Sequence, residues 1–134
     1  MMPIIFLILL ATTIIFLLRR NVKANAWKQP TKPFPIDWRD ILTNNVRYYQ
    51  LLSAQEQRRF EYKVQEFLLN CKITGIGTPV HTTDKLLVAA SAVIPIFAFK
   101  DWRYVHIKEV LLYASTFNKD FETEGPNRPI AGIV

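Results

Sequence analysis

The first eighteen residues, MMPIIFLILLATTIIFLL, contain no charged side chain. Wound into a helix they rise roughly 27 Å, close to the ~30 Å hydrocarbon thickness of a bilayer. A stretch of this length with no polar face suits lipid better than a protein core. Pro3 falls in the first helical turn, where its missing N–H costs nothing. Arg19 and Arg20 end the run and can snorkel to the interface. The rival reading is a cleaved signal peptide. Ala24-Asn25-Ala26 has the form of a cleavage site, but it lies beyond Arg19, Arg20 and Lys23, and no basic residue precedes the apolar run. Residues 1–20 are therefore read as a single transmembrane anchor. The basic residues all follow it, so the positive-inside rule places the remainder on the cytoplasmic side of the inner membrane.

Much of the net charge of +6 sits close behind this run, in Arg19, Arg20, Lys23, Lys28 and Lys32. Basic residues there suit anionic lipid better than nucleic acid. Further along, Arg47, Arg58, Arg59 and Lys63 alternate with acids and form no basic face, so the sequence gives no sign of a nucleic-acid partner. Residues 21–36 read as a linker. Pro30, Pro33 and Pro35 favour an extended, stiff path, and Trp27 has the character of an interfacial tryptophan.

Two helical patterns follow. In the first, Asp37 is the candidate N-cap, with Trp38, Ile41, Leu42, Val46, Tyr49 and Leu52 at helical spacing. The second opens on Ser53-Ala54-Gln55-Glu56, a capping box. Its apolar face is Phe60, Val64, Phe67 and Leu68, with Gln57, Arg58, Glu61 and Lys63 expected toward water. The short break at 51–53 predicts a helical hairpin. Lys72-Ile73-Thr74 is β-prone and ends at Gly75-Ile76-Gly77, a pair of glycines too few for a dinucleotide fingerprint. Thr82 or Thr83 is expected to cap a third helix beginning near Asp84. From Leu86 to Phe99 that helix is apolar almost all round, which predicts burial. Trp102–Tyr113 reads as a strand, 117–129 as a polar loop, and 130–134 as the start of another β-like stretch at which the chain stops, as a truncated product would. The fold class expected is α+β.

Chemistry-bearing residues are few. His81 and His106 lack a neighbouring Glu and a second His at helical spacing, so neither forms a zinc helix. Cys71 is alone and reads as a small apolar residue. Ser91 sits in no Gly-x-Ser-x-Gly elbow.

Several stretches nevertheless resemble one family. They are Phe34-Pro35, Trp38-Arg39 and Leu42; Tyr49, Leu52, Glu56-Gln57 and Arg59-Phe60-Glu61; Ile73, Gly75 and Gly77; Asp84 and the run from Leu86 to Phe97; Trp102 and Tyr104; Glu109-Val110, Tyr113 and Phe117; and Glu124-Gly125, Arg128, Ile130 and Gly132. Together they resemble the opening of the zinc-dependent peptidases of the Mlc titration factor A family. The resemblance implies a front half of a zincin-like metallopeptidase over residues 37–134, hydrolysis of peptide bonds, and zinc in the complete protein. In that family the His-Glu-x-x-His helix lies further downstream, and no position here matches it. No catalytic, cofactor-binding or metal residue can therefore be carried over, and this chain is expected to be inactive alone. The resemblance further implies a peptide or protein substrate and a regulatory protein partner, with a strand edge near Arg128–Val134 along which a peptide could lie. The alternative is a non-enzymatic, membrane-tethered interaction module.

Overall fold

The computed structural model describes residues 2–24 and 26–115. Helix α1 (Met2–Ala24) carries the apolar run, and every residue from 3 to 20 is exposed. Thr12 and Thr13 are the polar side chains of the apolar run, and each donates its hydroxyl to the Leu9 carbonyl at 2.9 Å. Both hydroxyls are thus satisfied within the helix. Its window Pro3–Arg20 is long and apolar enough to cross a membrane.

Beyond it the architecture is α+β: α2 (Ile36–Asn45), α3 (Arg47–Gln50), α4 (Ala54–Asn70), β1 (Lys72–Ile76), α5 (Thr82–Val93), a 3₁₀ turn (Ile94–Ile96) and β2 (Glu109–Tyr113). The strands pair in parallel, from Lys72 opposite Glu109 to Ile76 opposite Tyr113. The core brings Leu42, Phe60, Val64 and Leu86, all fully buried, from three helices. The polar loop and final β-like stretch expected over 117–134 lie outside the described residues.

Local chemistry explains where the elements depart from expectation. The first helix does not run through to residue 52. It breaks at Val46, whose φ of −116° and ψ of 95° are extended. Asn45 donates its amide to the Ile41 carbonyl and Gln50 donates to the Thr43 carbonyl, side-chain bonds that compete with the helical ladder. Pro35 holds the N-cap position, and Asp37 lies in the first turn instead. The capping box forms as expected: Glu56 accepts from the Ser53 N–H at 2.9 Å, and the Ser53 hydroxyl accepts from the Glu56 N–H at 3.4 Å. At α5, His81 rather than a threonine is the N-cap residue, and its N–H donates to Asp84 at 2.8 Å.

Helix α5 ends at Val93, earlier than Phe99, and tightens into the 3₁₀ turn at Pro95, which has no N–H to extend the α ladder. The carbonyls freed beyond it find partners on α4. Arg59 donates to the Phe97 carbonyl at 2.6 Å and Lys63 to the Lys100 carbonyl at 2.9 Å. The strand expected over 102–113 is confined to 109–113. Tyr104 inserts toward the core, its hydroxyl donates to the Ala92 carbonyl at 2.8 Å, and its carbonyl accepts from the Ile107 N–H, which turns the chain before β2.

The two glycines at the end of β1 shape the turn that follows that strand. A Cβ on Gly75 would lie 2.1 Å from the Thr78 carbonyl oxygen, and Gly77 has a φ of +67° with open space around it. Gly75→Ala is expected to cost about 1–3 kcal/mol through overpacking against backbone, and Gly77→Ala about 1 kcal/mol through its left-handed conformation. Urea denaturation of the full chain in detergent micelles, followed by tryptophan fluorescence, measures both and should rank them in that order.

Candidate functional site

Helix α4 concentrates the polar chemistry of the described residues. Glu61, Lys63 and Glu66 are all buried, at 4%, 8% and 2% exposure. Periodicity places Glu61 and Lys63 toward water, and the structure corrects both. The helix is covered by α5, by α2 with α3 and by the segment after α5, so its buried face is wider than the apolar stripe.

Glu61 is held by two elements. Arg39 of α2 grips its carboxylate with two bonds, Nε to Oε1 at 2.7 Å and a terminal nitrogen to Oε2 at 3.0 Å. The Tyr49 hydroxyl of α3 donates to Oε1 at 2.6 Å. Burial pushes the Glu61 carboxyl up, but the bonds from Arg39 and Tyr49 and the Arg39 charge outweigh it, and the net shift is below the usual 4.5. The same contacts raise the Arg39 guanidinium, first through its bond to Glu61. Tyr49 is pushed up to about 12, by burial first and then by its bond to Glu61. All three groups therefore hold fixed protonation states near neutrality. The cluster is a lock between helices and lacks a group poised for proton transfer.

The second cluster surrounds Glu66. Arg103 Nε lies 3.3 Å from its Oε1, and Lys63 is turned away to the Lys100 carbonyl. A cavity of about 10 Å³ is bordered by Trp27, Glu66, Trp102, Arg103 and Tyr104, and the buried Trp27 indole N–H has no acceptor among the described residues. Trp27 thus turns into the domain instead of lying at an interface. Of the linker expected over 21–36, residues 21–24 continue α1 and Ile36 opens α2; residues 26–35 carry no helix or strand, and that segment is docked. The Lys28 N–H donates to Asn70 Oδ1 at 2.8 Å, the Asn70 amide donates back to the Lys28 carbonyl at 2.8 Å, and Gln65 reaches the Lys32 carbonyl. Residues 27–34 form a strap along α4.

The remaining reactive groups are not brought together. His106 is exposed in the turn before β2, and His81 pairs with Asp84 at the start of α5, Nδ1 to Oδ2 at 3.3 Å. Cys71 is buried, and its thiol is raised by burial first and by the Glu109 charge second. It is a protonated, enclosed thiol. Among the described residues no group of three or more His, Cys, Asp or Glu side chains could hold a metal ion. Glu61 and Glu66, the buried carboxylates, are already engaged by arginines. These residues do not fit a zinc site. Neither buried cluster was legible from the sequence; the one local sign was an Arg, a Tyr and a Glu recurring on neighbouring amphipathic helices, a pattern that solvated faces share.

Comparison with known proteins gives the relationship. Residues 18–129 match the family described as glucose-regulated metallo-peptidase M90, which includes Mlc titration factor A. An uncharacterized protein of Synechocystis, slr2042, is 26% identical over 121 residues, covering 81% of this chain and 44% of its own length. The chain thus spans less than half of the relative it matches. No solved structure matches it.

Two measurements test the local chemistry. Tyr49→Phe should destabilise the fold by about 1.5–3 kcal/mol, the worth of a hydrogen bond to a buried charge. Because Glu61 titrates lower in the folded state, its contribution is present above pH 4.5 and is lost as pH falls through its folded value. Stability measured from pH 7 to 3 should therefore fall less steeply in Glu61→Gln than in the parent chain, although that variant starts lower. Cys71 should react with an aromatic disulfide reagent only as the protein opens, so its labelling rate should rise with urea in step with the loss of tryptophan signal. With the match over most of its length and the sequence motifs already described, the chain belongs to the glucose-regulated metallo-peptidase M90 family.

Proposed function

We propose that this chain is the N-terminal scaffold portion of a membrane-anchored, zinc-dependent peptidase of zincin-like architecture. Its α1 is the anchor, the folded part lies on the cytoplasmic face, and the metal-binding helix is supplied by sequence outside these 134 residues. The observation that carries this reading is the family match over residues 18–129 of a chain in which no His-Glu-x-x-His motif occurs. The sheet supports it. Two parallel strands of five residues make a small ladder, and parallel sheets ordinarily gain their stability from more strands and from cover on both faces. Ile76 and Leu111 remain exposed on it, at 40% and 47%. Within such an enzyme this region would brace the sheet through α4 and α5 and contribute no reacting group, because Glu61 and Glu66 are paired with Arg39 and Arg103 and Lys63 donates to the Lys100 carbonyl.

The test is the intact mass of the native protein extracted from membranes, with zinc measured in the same sample. A mass well above 15.6 kDa with one bound zinc and peptide-bond hydrolysis is expected. A mass near 15.6 kDa without zinc would overturn the peptidase reading and leave a membrane-tethered interaction module.

A further inference from the structure

Asn70 ends α4 and is clamped to Lys28 by two hydrogen bonds, so the C-terminal end of that helix is tied to a point just beyond α1. From Arg20, where the apolar window closes, to Ala24 the helix rises about 6 Å, and four further residues reach at most ~14 Å. The end of α4 is thus within roughly 20 Å of the hydrocarbon boundary, of which the headgroup layer itself takes about 6 Å.

At that end lies an open depression of about 480 Å³, bordered by Asn70, the half-exposed Leu69, and three exposed lysines, Lys72, Lys85 and Lys108. The fold brings these three together. The Lys72 N–H donates to the Lys108 carbonyl at 2.9 Å, where the parallel pairing begins, and Lys85 lies in the first turn of α5. Glu109 answers part of the charge, 3.7 Å from the Lys72 ammonium, and its carboxylate also accepts from the Thr74 hydroxyl. Asp84, next to Lys85, is engaged with His81. The border residues themselves carry no acid. A concave site with three ammonium groups, an amide and an apolar rim, at the end of α4 that is tied to Lys28, matches a phosphate ester attached to acyl chains.

We propose that this depression receives the headgroup of an anionic phospholipid from the leaflet in which α1 ends, so that the domain sits on the membrane in one orientation. The inference rests on α1 being a membrane anchor. The test uses the full chain reconstituted with vesicles of phosphatidylcholine alone or of phosphatidylcholine with phosphatidylglycerol, at near-physiological salt. Flotation reports anchoring, and lysine acylation read by mass spectrometry reports the site, with Lys100, outside the depression, as reference. The expected result is flotation with both vesicles and about three-fold or greater protection of Lys72, Lys85 and Lys108 in the anionic ones. In the double variant Lys85→Gln, Lys108→Gln, the protection of Lys72 should fall. Equal reactivity in both lipids, with flotation intact, would overturn the headgroup site and leave the anchor standing. Failure to float with neutral vesicles would overturn the anchor and this proposal with it. Protection of the same lysines by millimolar glycerol phosphate in neutral vesicles, with no further effect of anionic lipid, would assign the depression to a free solute and overturn the lipid reading.

Discussion

A carboxylate buried on α4 organises the helical part of this protein. Removing the charge of Glu61 from water carries a penalty that only close, well-directed partners offset. Those partners come from two other elements, Arg39 on α2 and Tyr49 on α3. The break at Val46 lets the chain turn between them, so that both can approach the same carboxylate. Around this polar centre the aromatic packing is dense: Phe60 lies 5.8 Å from Tyr49 and 5.5 Å from Phe97, ring centre to ring centre. The apolar contacts supply most of the stabilisation and the ionic lock restricts which helix register is acceptable, since a shifted helix would leave the carboxylate unpaired.

The same helix also finishes the elements it touches. Where Pro95 ends α5, Arg59 and Lys63 donate to the carbonyls that follow, and the Arg59 guanidinium lies 4.0 Å from the centre of the Phe97 ring. Where the chain leaves α1, Asn70 clamps Lys28 and converts a proline-rich connector into a strap. The family match begins at residue 18, so this strap falls within the matched region.

Features governed by neighbours in the chain were legible before any coordinates. The apolar run, the Ser53–Glu56 capping box, the helical stripe of Phe60, Val64 and Phe67, the burial of Leu86, Ala89 and Ala90, and the β-character at Lys72–Thr74 all follow from short-range chemistry. The family was legible by resemblance, through its run from Leu86 to Phe97. The burial of Glu61, Lys63 and Glu66 was not legible, since a charged residue beside an apolar stripe looks the same whether solvent or an arginine waits opposite. Nor was the shortened second strand, because Tyr104 leaves the β path for a contact with Ala92 twelve residues earlier in the chain.

The sequence alone determined the α+β character, the apolar N-terminal helix and the capping of α4, for each depends on residues within a turn or two of one another, and it carried the resemblance to the family. Tertiary structure alone decided which charges are buried, that the linker is a strap, where β2 begins, and that three lysines border one depression. Each of those depends on partners many residues away, and a linear pattern carries no record of what will be packed against it.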